Sequence, residues 1–226
     1  MNTASRTSVC VLSGVRALLF DLDGTLVATD EIIQRAMLDT LAHCTGRPWE
    51  RPALMPHWGM RLRDQLRALC PELDLDAAVP YYRARYAIYH EALLAEIPGT
   101  RAMLDAVRAR GVRLGVVTSK KRQNARQTLR DVGFLALFDV VVAEEDTTRH
   151  KPAPEPLLYA LTSLNHAPDV AAYVGDNPDD VRAARAAGMR AVAVSWGFRG
   201  REEIVAVGPD LILDAPAELL PHLSSP

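Results

Sequence analysis

Runs of consecutive apolar residues alternate along this chain with stretches whose apolar positions recur every three or four residues. The runs lie at residues 17–20, 112–117, 139–142, 171–174, 191–194 and 211–213. Short apolar runs bounded by turn residues read as strands buried on both faces, as in a parallel sheet. Between them the spacing predicts helices. Met103, Leu104 and Val107 share a face in a helix closed by Gly111. A second helix runs from about residue 120 to 132 and stops at Gly133, and a third covers 154–164. A fourth covers 178–187, with Asn177 as N-cap, Pro178 at the first position and Gly188 at the stop. A last helix is expected near Leu219. Strands alternating with helices imply an α/β fold, a Rossmann-like parallel sheet with helices on both faces.

One block interrupts the alternation. Residues 28–97 carry no strand pattern. Ile32, Ile33, Ala36, Met37 and Leu41 fall on one helical face, and Leu62, Leu66 and Leu69 mark a second helix stopped by Pro71. Residues 81–96 read as a third. Residues 45–56, with one glycine and three prolines, read as a loop. The block is too long for a connection inside a compact domain. It is therefore expected to be an inserted all-helical cap, with residues 1–27 and 98–226 forming the α/β core.

Composition narrows the function classes. The chain has 226 residues, 49% hydrophobic and 24% charged, with formal net charge −2. That balance does not suggest binding to nucleic acid or to a membrane surface. No apolar run approaches the ~20 residues of a membrane span. Residues 1–13 read as a ragged tail whose apolar piece is too short for a secretory core. The three cysteines, Cys10, Cys44 and Cys70, form no CxxC pair, which points to a reducing cytoplasm. A monomer or a homodimer is expected.

The chemistry gathers at the ends of the predicted strands. Asp21-Leu22-Asp23-Gly24-Thr25 follows the first. Two carboxylates so close repel each other and call for a cation, most simply a hard, oxygen-loving ion such as Mg²⁺. Thr118-Ser119 follows the second, where a hydroxyl and the free N–H groups of the next helix make an anion site. Lys151, held on extended chain by Pro152, supplies an ammonium. Asp176 follows the fourth strand and Asp180 lies about one helical turn beyond it. Singly, each has an ordinary explanation as a cap, a solvated lysine or a helix-start acid. Four strand ends carrying Asp-x-Asp, Thr-Ser, Lys and Asp in that order do not.

This set resembles the four signatures of the haloacid dehalogenase superfamily of phosphohydrolases, over nearly the whole chain from Ala17 to Leu220. The resemblance implies Asp21 as nucleophile and metal ligand, and Asp23 as acid/base with its backbone carbonyl on the metal. It implies Thr118 as the phosphate-binding hydroxyl with Ser119 beside it, and Lys151 as the neutralising cation. Asp176 would be a metal ligand, and Asp180 a direct or water-mediated one. Mg²⁺ is the implied cofactor. The sequence departs from the pattern at Asn177, where many relatives have Ser or Thr, and at His150.

Asp23 argues for phosphate chemistry, since the dehalogenase members lack it. Ile97-Pro98-Gly99, Val116-Val117-Thr118-Ser119-Lys120 and Trp196-Gly197-Phe198 are similar to phosphoglycolate phosphatases and to phosphatases acting on pyrophosphate. A small phosphorylated substrate is implied. A mutase of the β-phosphoglucomutase type shares fold, cap and first motif. A phospho-acceptor switch like a response-regulator receiver also uses Asp, Thr and Lys, but has no helical insertion. Within the cap, Arg61 is the candidate for contacting an anionic substrate, with Arg63, Tyr81, Tyr82, Arg83 and Arg85 as further polar groups.

Overall fold

The computed structural model describes residues 10–223. Among them six strands form one parallel sheet: β1 (Ala17–Phe20), β2 (Arg113–Val117), β3 (Val140–Val142), β4 (Ala171–Gly175), β5 (Arg190–Val194) and β6 (Leu211–Leu213). Their spatial order is β3-β2-β1-β4-β5-β6. The α-helices are α1 (Asp30–Thr45), α2 (Arg51–Leu54), α3 (Leu62–Leu69), α4 (Leu75–Leu93), α5 (Thr100–Ala109), α6 (Arg122–Asp131), α7 (Glu155–Leu164), α8 (Pro178–Ala186) and α9 (Arg201–Ala206).

The alternation of side chains along β1 divides the core. Leu18 and Phe20 face α5 and α6, together with Val116, Val174 and Val194. Ala17 and Leu19 face α7, α8 and α9, together with Val117, Tyr173 and Ala193. Both faces are covered, which is why the strands read as unbroken apolar runs. The chain builds outward from β1 on one side through β2 and β3, then on the other through β4, β5 and β6. Such a reversal opens a crevice beyond the carboxyl ends of the strands, and β1 sits at that point.

Helices α1 to α4 pack on one another around Ala36, Met37, Leu41, Leu54, Leu66, Ala78 and Tyr82. The two chain segments leading into and out of this block pair with each other. The Ala28 N–H donates to the Ala95 carbonyl at 2.9 Å, and the Ile97 N–H to Leu26 at 3.1 Å. Phe198, from the loop after β5, joins the block's own hydrophobic cluster.

Several boundaries differ from expectation. Helix α4 starts at Leu75, not at residue 81, and carries Pro80 inside it. The Asp74 side chain caps its first turn by accepting from the N–H groups of Asp76 and Ala77, and burial of Leu75, Ala78 and Val79 offsets the lost proline donor. The expected loop at 45–56 contains the helical turn α2 and a 3₁₀ turn at Met55–His57. Helix α6 starts at Arg122 because Lys121 is extended, which leaves residues 118–121 as a loop. Helix α9 was not anticipated; only Ile204 of its six residues is buried. The terminal helix near Leu219 is a 3₁₀ segment, Pro216–His222. Residues 1–9 of the expected tail lie outside the described residues. Leu12 is fully buried and its N–H donates to the His222 carbonyl, so that part of the segment is pinned to the C-terminal end. No described helix is long and apolar enough to cross a membrane.

Candidate active site

The Asp21 N–H donates to the Val174 carbonyl at 2.9 Å, carrying the β1–β4 register one step past the strand. The chain must then turn sharply. Gly24 takes φ +75°, and a Cβ there would lie 2.5 Å from Asp176 Oδ2, so only glycine satisfies both backbone and space. Thr25 closes the loop by donating from Oγ1 to Asp176 Oδ1 at 3.2 Å. Asp176 Oδ2 accepts from the Phe198 N–H at 3.2 Å. The Asp-x-Asp loop is thereby folded onto the end of β4.

Asp21, Asp176 and Asp180 form a cluster with ligand atoms all within 4.8 Å of one another. Asp180 serves two purposes. Its Oδ2 accepts from the Asn177 N–H in the capping box that opens α8, while its Oδ1 takes Lys151 Nζ at 2.7 Å. The same ammonium donates to the Tyr173 hydroxyl at 2.8 Å and lies 3.1 Å from Asp21 Oδ1. Tyr173 passes the chain on to the Val117 carbonyl at 2.8 Å. Burial would lower the Lys151 pKa, but Asp180, Asp21 and Tyr173 outweigh it and hold the ammonium well above its usual range. Burial pushes Asp21 up to about 7 against the pull of Lys151, with Asp180 and Asp23 adding to the rise. Asp176 is driven well above the carboxylate range by burial, then by Asp180, Asp21 and Asp30.

Three crowded carboxylates facing one ammonium are a donor set for a hard cation. Asp21 Oδ1 is buried without a hydrogen bond among the described residues, since Lys151 stands beside it off the hydrogen-bonding direction. A divalent ion there would supply the missing partner and reverse the repulsion that raises these pKa values.

The Asp23 carboxylate points away from that cluster. Its Oδ1 accepts from Thr29 Oγ1 and from the ammonium of Lys120. The Lys120 side chain is only 9% exposed, with its Nζ 5.1 Å from the centre of the Tyr86 ring. Thr118 is buried at the end of β2, its N–H held by the Val142 carbonyl and its Oγ1 accepting from the Lys120 N–H at 3.2 Å. Asp30 is pushed up to about 7, by burial first and then by Asp23, with Arg51 opposing.

A cavity of about 1,040 Å³ joins these groups to the helical block. Asp21, Asp23, Thr118, Ser119, Lys151, Asp176 and Asp180 all line it. Trp58, Leu62, Gln65, Tyr82 and Tyr86 line it from the other side. Contacts bridge the two parts on both flanks. The Trp58 carbonyl accepts from Asn177 Nδ2 at 3.1 Å and from Arg199 at 3.3 Å. Across the cavity, His90 Nε2 and Thr128 Oγ1 lie 3.1 Å apart. Arg61 is not among the lining residues: it is bonded to Asp64 and lies 2.8 Å from His150 Nε2. Of the other polar candidates, Tyr82 and Arg83 line the cavity, while Arg63 pairs with Asp76 and Arg85 with Asp39.

The structure thus brings Asp21, Thr118, Lys151, Asp176 and Asp180 around one cavity. Sequence reasoning did not single out Thr29, Asp30, Gln65 or Tyr86, and named Lys120 only within the stretch Val116-Val117-Thr118-Ser119-Lys120. In the sequence Tyr86 falls inside the helical stretch 81–96, and Gln65 lies between Leu62 and Leu66. Neither pattern distinguishes a lining residue from a packed or solvated one.

The chain is similar to known proteins over most of its length. The family model described as haloacid dehalogenase-like hydrolase matches residues 18–194. A pyrophosphatase, PpaX, of Bacillus mycoides is 35% identical over 210 residues, covering 93% of this chain and 97% of the relative. A crystal structure from Lactobacillus plantarum, of a protein assigned as a phosphoglycolate phosphatase, superimposes with TM-score 0.82 at 26% identity, covering 92% of this chain and 99% of that one. CbbY from Rhodobacter sphaeroides, in complex with phosphate, gives TM-score 0.79 at 27% identity over 91% of this chain and 96% of that one.

Proposed function

This chain belongs to the haloacid dehalogenase-like hydrolase family, and from that premise we propose that it is a Mg²⁺-dependent phosphatase of small phosphate monoesters or pyrophosphate. The observation that carries the reading is the placement of Asp21. It stands at the carboxyl end of the central strand, on the cavity floor, touching Lys151 and flanked by Asp176 and Asp180.

Asp21 attacks phosphorus in line and forms an aspartyl phosphate, which water then cleaves. Thr118 and Lys151 bind oxygens of the transferred phosphoryl group. Asp23 protonates the leaving oxygen and then takes a proton from the attacking water. Lys120 and Thr29 hold the Asp23 carboxylate in place. Asp21, Asp176 and Asp180 would hold Mg²⁺, which supplies positive charge against the phosphoryl oxygens. Residues 28–97 act as a cap that shields the cavity from water, tethered by the paired segments at Ala28 and Ile97. The pyrophosphatase relatives favour release of phosphate to water over its return to a sugar. Thiols at Cys44 and Cys70, with no disulfide between them, suit a cytoplasmic enzyme.

The test is phosphate release from phosphoglycolate, pyrophosphate, sugar phosphates and nucleotides, with Mg²⁺ and with EDTA. Metal-dependent turnover by the wild type that Asp21→Asn loses supports the reading. Turnover unchanged by Asp21→Asn would overturn the assignment of the nucleophile.

A further inference from the structure

Gln65 is a polar residue on α3 that the phosphatase mechanism leaves unused. It is only 4% exposed, and its amide Nε2 is buried with no hydrogen-bond partner among the described residues. Its backbone is satisfied, the N–H donating to the Arg61 carbonyl at 2.9 Å. The side chain lines the same cavity as Asp21 and Thr118. Its neighbours on that wall, Ile33, Trp58, Leu62 and Tyr82, belong to the hydrophobic cluster of the helical block. An amide nitrogen buried unpaired in such a wall is destabilising. A leucine of similar size would fill the space without that cost. The amide therefore has a use beyond packing.

We propose that Gln65 is a specificity-determining residue that donates a hydrogen bond to an acceptor oxygen on the substrate's leaving group. The sheet edge holds the transferred phosphoryl group, so the opposite wall faces what departs from it. The substrate class is then a phosphate ester or anhydride whose leaving group itself ends in an oxyanion, either carboxylate or phosphoryl. A leaving group of hydrocarbon alone leaves the amide unpaired and is discriminated against. This deepens the phosphatase reading and rests on it.

Steady-state kinetics on wild type, Gln65→Leu and Gln65→Glu test it, with pyrophosphate, 2-phosphoglycolate and ethyl phosphate as substrates. Both variants are expected to lose about tenfold in kcat/KM on at least one of the two oxyanion substrates. Ethyl phosphate turnover should be unchanged. A loss confined to pyrophosphate identifies a phosphoryl acceptor, and one confined to phosphoglycolate a carboxylate. The thermal midpoint of Gln65→Leu should not fall, which a packing role would require. An equal loss on all three substrates, or no loss on any, overturns the proposal. A binding measurement separates this from the wider reading. In an Asp21→Asn background, calorimetry with pyrophosphate, 2-phosphoglycolate and orthophosphate should show one of the first two binding more tightly than orthophosphate. Gln65→Leu should erase that advantage. No advantage to erase also overturns the role of Gln65. Absence of wild-type turnover alone counts only against the phosphatase reading.

Discussion

The Phe198 ring lies flat on the Trp58 indole, with ring centroids 3.6 Å apart and planes 6° from parallel. Phe198 comes from the loop after β5 and Trp58 from the helical block, so the stack joins the two parts of the chain. The Phe198 N–H also binds Asp176, so one residue reaches both the block and the carboxylate cluster. Phe198→Ala is expected to destabilise the protein by about 2–4 kcal/mol, near the low end for buried aromatics because one side of the ring faces Arg51. It should also weaken divalent-ion binding. Thermal denaturation with and without Mg²⁺ measures both effects, and a variant that binds Mg²⁺ as the wild type does would refute the link to Asp176.

Protons and a divalent ion compete for the same buried carboxylates. The folded-state pKa of Asp21 is raised from 3.8 to about 7. A raised acid holds its proton in the native state after the unfolded chain has lost it. Its contribution to stability is therefore fully present below about pH 4 and is lost as pH rises through 7. Metal-free protein should lose stability across that window, and Mg²⁺ should restore it. The thermal shift caused by saturating Mg²⁺ is expected to be larger near pH 8 than near pH 5. Equal shifts at both pH values would count against Asp21 as a ligand.

Asp21→Asn replaces a buried carboxylate, crowded by Asp180 and Asp23, with a neutral group of the same shape. Without metal the variant should be at least as stable as the wild type. With Mg²⁺ it should gain less, and its phosphate release should fall to background. Circular dichroism melting beside the activity assay separates loss of chemistry from loss of fold.

Lys120 touches Asp23 and covers the Tyr86 face without lying in the carboxylate cluster. Lys120→Met should lower kcat by about tenfold or more, short of the ~10²–10⁴-fold expected for Asp23→Asn, because it unsettles the acid/base without removing it. Product formation under single-turnover conditions should slow correspondingly. An unchanged kcat would show that Thr29 alone holds Asp23.

Much of the fold is legible in the sequence alone. Each apolar run became a strand of the one sheet, because burial on both faces excludes charged residues throughout β1 and β4 and from β2 beyond its exposed first residue, Arg113. Asp21, Thr118 and Asp176 were legible for a related reason: a polar residue directly after a buried strand has only the sheet edge to occupy. Arg61 shows where this reasoning stops. Its charge suggested an anion partner, but Asp64 at i+3 and His150 take its guanidinium instead. The expected start of α4 at residue 81 falls after Pro80, whereas the cap at Asp74 and the buried face beyond it carry the helix through that proline from Leu75, which local propensity cannot weigh.

The one-dimensional pattern was enough to determine the parallel α/β class and the strand-free, helical stretch between β1 and β2. These follow from local periodicity and from which residue types tolerate burial. Only the tertiary structure decided which groups meet. Lys151 joins Asp21 to Asp180, Lys120 turns to Asp23, and Gln65 enters the cavity wall while Arg61 does not. Those pairings depend on how far one helix is turned against another, a matter of packing between segments remote in sequence, and no local pattern encodes it.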